Sequence, residues 1–103
     1  MTSKGIKSEL MDSDEEIQSA ILHQLFRKQK WMANHIGYDK IKKWVVAGLK
    51  GKNGKETDMN LKQMIKEGLI IPKPTNYGLQ ISLDIKHREK IMRKIRKFYE
   101  PRF

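Results

Sequence analysis

MIKEGLIIPKPTNYGLQISLD, residues 64–84, changes its hydrophobic period part-way along. Up to Gly68, Leu61, Met64 and Ile65 recur at the spacing of one helical face. Beyond it, Leu69-Ile70-Ile71 runs into Pro72, and Leu79, Ile81 and Leu83 alternate with Gln80 and Ser82, the period of a half-buried strand. Between the two runs, KPTNYG (73–78) has the turn chemistry of Pro74, Asn76 and Gly78. The stretch predicts a helix over 58–67, stopped by Gly68, and a β-hairpin over 69–83, with Leu61, Ile65, Leu69, Leu79 and Ile81 buried. Thr57 is placed to cap the helix, and Asn60, Gln63, Lys66 and Glu67 fall on its outward side.

Upstream, Ser13 and Glu16 match a capping box ahead of Ile17, Ile21, Leu22, Leu25 and Phe26, which predicts a first helix over 14–29 after a polar tail at 1–12. Residues 30–36 hold Trp31 and Ile36 and allow a brief strand. Asp39 is placed to cap a second helix over 39–49, with Ile41, Trp44, Val45 and Leu49 inward and Lys40, Lys42 and Lys43 outward. GKNGKE (51–56) reads as a loop. Downstream, Asp84 caps a last helix over 85–99, whose apolar positions Ile85, Ile91, Met92, Ile95, Phe98 and Tyr99 lie opposite Lys86, Lys90, Arg93, Lys94 and Lys97.

The expected fold class is α+β, mainly helical with a small β-hairpin. Three helices followed by a hairpin is the element order of a winged helix-turn-helix, here with an additional C-terminal amphipathic helix. The wing stretch resembles that of small archaeal winged-helix proteins, in an EGLI ending to the third helix followed by a KPT–YGLQ–SL hairpin. Lys73, Pro74, Thr75, Tyr77, Gly78, Leu79, Gln80, Ser82 and Leu83 carry the resemblance. It implies a winged-helix domain at 13–84 and DNA binding by analogy of fold.

The charge agrees with a polyanionic partner. The chain has 103 residues and a net charge of +10, from 22 basic and 12 acidic side chains. Residues 27–55 sum to +8 and 85–103 to +6, around a segment 56–84 at −1. Glu56, Asp58 and Glu67 are acids that would repel phosphate. With no cysteine, disulfides, thiolate chemistry and zinc fingers are excluded. Apolar runs are too short to span a membrane, and the N-terminus has no signal core, so a cytoplasmic protein is expected. His23, His35 and His87 are scattered, and the glycines of 48–54 miss phosphate-loop spacing. Neither enzyme, metal, cofactor nor small-molecule ligand is expected.

The expected partner is double-stranded DNA. Lys50, Lys52, Asn53 and Lys55 lie in the approach to the third helix, where lysines and backbone N–H groups suit phosphate. Asn60 and Gln63 are amides of the kind that read adenine, with Lys66 beside them. Lys73, Thr75, Asn76 and Tyr77 form the wing tip, suited to backbone or minor-groove contact. Trp31 and Trp44 read as core. The last helix, within 85–103, either covers the domain's own core, pairs with its twin or lies on a membrane. Its many apolar positions favour a homodimer through Ile91, Met92, Ile95 and Phe98. A protein-interaction module or an RNA-binding module are the alternative functions.

Overall fold

The computed structural model describes the backbone of residues 2–49 and 54–101, and the side chains of 14–49 and 54–101. Among these residues the chain forms helices α1 (Thr2–Arg27), α2 (Tyr38–Gly48), α3 (Gly54–Lys66) and α4 (Arg88–Arg96), and strands β1 (Ile36–Gly37), β2 (Ile70–Thr75) and β3 (Gly78–Leu83). A 3₁₀ turn at Ile85–His87 links β3 to α4. The class is α+β: four helices and an antiparallel sheet of order β1-β3-β2. No helix among the described residues is long and apolar enough to cross a membrane.

The hairpin register pairs Ile70 with Leu83 at its base and Thr75 with Gly78 at its turn. β1 joins the other side of β3 through Ile36 opposite Ile81. Ile70, Ile81 and Leu83 face a core built from Ile17, Ile21, Leu22 and Leu25 of α1, Ile41 and Val45 of α2, and Leu61 and Met64 of α3. Trp31 and Trp44 pack against this core half-buried, as does Ile65. Leu79, expected inside, is 38% exposed, because the distal half of the hairpin has already left the body of the domain opposite Pro74.

Two helix ends are closed by paired backbone bonds. Gly68, at φ +85°, donates to Ile65 O while Leu69 donates to Met64 O, the reversal expected where glycine follows a helix. Gln29, at φ +54°, closes α1 in the same way, with Gln29 N on Phe26 O and Lys30 N on Leu25 O.

The helix starts differ from the sequence expectation. α1 begins at Thr2, so its backbone takes in the expected tail. Residues 2–13 contain no proline and only one glycine, and Lys, Glu, Leu and Met continue a helix readily. Gly37 rather than Asp39 is the N-cap of α2, and Asp39 lies in its first turn. α3 begins at Gly54, which puts Thr57 inside the helix and fully buried instead of at its cap. Asp84 accepts from Lys86 N at 2.9 Å but starts the 3₁₀ turn, so α4 is shorter than 85–99.

A further departure concerns the residues expected at a dimer seam. Ile91, Met92 and Ile95, assigned to a dimer seam, are 0%, 2% and 0% exposed within the single chain, where α4 packs on α1. Phe98 alone of that set is open, at 40%. α1 needs a cover on this side, and α4 supplies it from the same chain, with the Ser19 hydroxyl donating to the Lys94 carbonyl across the seam.

Candidate nucleic-acid interface

α3 turns two opposite faces to its surroundings. Thr57, Asn60, Leu61 and Met64 are buried. Lys55, Met59, Lys62, Gln63 and Lys66 are exposed, and the spacing 55, 59, 62, 66 makes one stripe along the helix. Met59 is 62% exposed at its middle.

The helix is anchored from below by Tyr38 of α2, whose hydroxyl donates to the Asp58 carboxylate. Burial first, and then this hydrogen bond, push the Tyr38 phenol well above its ordinary pKa. The Tyr38 hydroxyl and the Lys62 ammonium hold the Asp58 carboxyl below the usual carboxylate range. Lys62 Nζ is 3.0 Å from Asp58 Oδ2, with its side chain 71% exposed. An exposed i,i+4 pair contributes only about 0.3–0.5 kcal/mol, so Lys62 is readily transferred to an incoming anion. The buried Tyr38 bond, charge-assisted, is the stronger of the two.

Asn60 is not on this surface. It is 5% exposed, accepts from Gln18 Nε2 at 2.8 Å, and donates to Glu56 O at 2.9 Å and Asp14 Oδ1 at 3.2 Å. Its amide is committed to the α1–α3 junction and is not available to a base. Reading only Leu61, Met64 and Ile65 as the inner face rotates the helix too far, because polar Thr57 and Asn60 also point inward. The same rotation hides Met59 and Lys62, which the sequence reading missed. Treating residues 57, 60, 61 and 64 as one i, i+3, i+4, i+7 set would have found them.

Gln63 stays on the surface, its amide donating to Glu67 Oε2 at 3.0 Å. Lys55 and Lys66 are exposed at opposite ends of α3. Lys50, Lys52 and Asn53 lie outside the described residues. On α2, Lys40 and Lys43 are exposed, and half-buried Trp44 has Lys28 Nζ 4.2 Å and Lys40 Nζ 5.6 Å from its ring centroid.

The hairpin tip follows directly from α3. Thr75 Oγ1 donates to Gly78 O at 2.7 Å and accepts from Tyr77 N at 3.2 Å, which folds the turn around Asn76 and Tyr77. Gly78 takes φ +112°, a conformation closed to most side chains. Lys73, Asn76 and Tyr77 are exposed, Tyr77 at 97%. Pro72 and Pro74 share one parity on β2, an edge strand, so both missing N–H groups fall on its unpaired side. The edge is thereby blocked to strand addition while the tip stays stiff.

The chain matches no protein family, no curated protein and no solved structure in comparisons of sequence and fold. Among the described residues no group of three or more His, Cys, Asp or Glu could hold a metal ion.

Proposed function

We propose that this chain is a winged helix-turn-helix domain that binds double-stranded DNA, with α3 in the major groove and the β2–β3 hairpin as the wing. The observation that carries this reading is that two exposed surfaces follow one another closely along the chain. The Lys55, Met59, Lys62, Lys66 stripe and the exposed tip of Lys73, Asn76 and Tyr77 are separated only by Glu67 to Leu69 and the base of the hairpin. The element order and the sheet order β1-β3-β2 are compatible with such a layout. Gln63 is the amide left to read a base edge; Lys66 and Lys73 meet phosphates. The role proposed with that activity is transcriptional or chromatin-associated, and the place proposed for it is the cytoplasm.

A titration of the full chain against random duplex DNA at several salt concentrations tests the reading. With about four to six phosphate contacts, log K against log salt should fall with a slope of roughly −4 to −5. Lys66→Gln and Lys73→Gln should each flatten the slope by about 0.9 on every sequence. Gln63→Ala should cost about 1–3 kcal/mol on a preferred site and little on random DNA. No duplex binding at low salt overturns the proposal.

One observation favours a second reading, a protein-interaction domain. α3 carries Lys55, Lys62 and Lys66 against Glu56 and Asp58, and Glu67 follows directly, so residues 54–67 are neutral overall. A neutral surface suits a mixed protein partner better than it suits phosphate. Structured RNA outcompeting duplex in the same titration would favour an RNA-binding module instead.

A further inference from the structure

We propose that the solvent face of α4 is a second phosphate-binding surface, which holds a separate DNA segment so that one chain joins two duplexes. The identity of the polyanion rests on the function proposed above; the existence of the second surface rests on α4 itself.

The positive charge of the molecule is not concentrated on α3. It is densest around α4, where Lys86, Lys90, Arg93 and Arg96 are all exposed. Among the described residues none of these four lies within ion-pair distance of a carboxylate, and Glu89 is the only acid of the helix. Two neighbouring cations are engaged with α1: Lys94 Nζ donates to Gln18 Oε1 at 2.8 Å, and Lys97 Nζ lies 3.1 Å from Glu15 Oε1. With Ile91, Met92 and Ile95 buried beneath it, α4 is held firmly and turns an almost wholly cationic face outward. Lys90 to Arg96 spans about 9 Å at 1.5 Å per residue, the length of about two to three phosphates along a strand.

This face does not continue the α3 surface. Asp14 of α1 reaches Asn60 of α3, Glu15 and Ser19 reach Lys97 and Lys94, and Gln18 lies between, bonded to both Asn60 and Lys94. α3 and α4 each pack on α1 and, among the described residues, make no contact with one another. Duplex DNA is stiff over roughly 150 base pairs, so a straight segment seated on α3 does not also lie along α4. The charge of α4 therefore fits a second segment.

The test is capture. The full-length chain is bound to a bead-immobilised duplex of about 20 base pairs, two helical turns, and a labelled second duplex is added. Single-duplex affinity is measured separately by fluorescence anisotropy. The K90Q/R93Q/R96Q variant should keep single-duplex affinity within about threefold, while its capture of the second duplex falls at least about tenfold. Three lost contacts should flatten the salt dependence of capture by about 2.7 units. K90R/R93K/R96K should retain capture, and K66Q/K73Q should weaken the single-duplex complex instead. Sedimentation at the capture concentration should give a monomer. If the wild-type chain binds one duplex and captures no second, or if K90Q/R93Q/R96Q captures normally, the second surface is overturned and the proposed function stands. The same holds if K90Q/R93Q/R96Q weakens single-duplex binding as much as K66Q/K73Q does, or if capture requires a dimer. No duplex binding by the wild-type chain overturns both.

Discussion

The Gln18 side-chain amide donates to Asn60 Oδ1 at 2.8 Å, across 42 positions of sequence. Gln18 Oε1 in turn accepts from Lys94 Nζ at 2.8 Å, and Asn60 Nδ2 is shared between Glu56 O and Asp14 Oδ1. One glutamine thus ties α1 to both α3 and α4. A polar contact of this kind is directional, so it sets the rotation of α3 about its axis in a way that apolar packing alone does not.

Asn60→Ala should therefore destabilise the domain. It leaves the Gln18 amide without its acceptor at a part-buried site, at a cost of about 1–3 kcal/mol in urea unfolding. Duplex affinity of the folded variant should be unchanged. Unaltered stability with a loss confined to one preferred DNA site would return Asn60 to the surface role expected from sequence.

Tyr38→Phe removes the hydroxyl bonded to Asp58 and should cost about 1.5–3 kcal/mol at neutral pH, as expected for a hydrogen bond to a charged group. The sign of the pH dependence follows from the direction of the shift. The Asp58 carboxyl is held low in the folded state, so its contribution is present above its ordinary pKa and is lost as pH falls through the lowered folded value. The gap between wild type and Tyr38→Phe should narrow in acid. On the alkaline side, the raised Tyr38 phenol makes the wild type lose stability above about pH 10, where the unfolded chain ionises first. Parallel stability curves from acid to alkali would refute the pairing.

His23 stacks on Tyr99 with ring centroids 4.5 Å apart, beside a cleft of about 210 Å³ between α1, α2 and Tyr99. Burial, and secondarily the Arg27 charge, lower its pKa below 6.5. The folded state therefore favours neutral His23: its contribution is complete above the unfolded value and is lost as pH falls through the folded one. The His23 ring resonances should titrate with a midpoint below 6.5, and Arg27→Gln should raise it. His23→Phe should lose less thermal stability than wild type between pH 7 and 5. A midpoint at or above the ordinary value would contradict the burial of the ring beside Arg27.

Two glycines should respond with opposite signs. Gly68 sits at φ +85°, and an added Cβ would lie 3.4 Å from His87 Cε1, so Gly68→Ala should destabilise by about 1–2 kcal/mol. Gly48 ends α2 with nothing within 4 Å of an added Cβ, and Gly48→Ala should stabilise by about 0.4–1 kcal/mol. Thermal melting of the two variants side by side decides the matter.

Tyr77→Ala touches a side chain that is 97% exposed, so stability should stay within about 0.5 kcal/mol of wild type. Under the proposed function the same change should weaken duplex binding on all sequences. Equal affinity for wild type and variant would remove Tyr77 from the wing contact.

Some of this molecule was decided by local chemistry and was legible along the chain. The change of period across Gly68, the turn residues of 73–78 and the apolar spacing of residues 17–25 each act over a few neighbouring positions, so the helix, the hairpin and much of the core could be read directly. Other features depended on neighbours distant in sequence. Asn60 is inside because Gln18 waits there, and Thr57 is inside because α3 starts a turn earlier than its apolar residues indicate. Ile91, Met92 and Ile95 form an apolar stripe that would serve a twin chain or the chain's own α1 equally well, and amphipathicity carries no information about which surface covers it. The sequence alone determined which residues must be covered; only the tertiary structure decided what covers them, because burial is non-directional and the partner is chosen by the path of the chain.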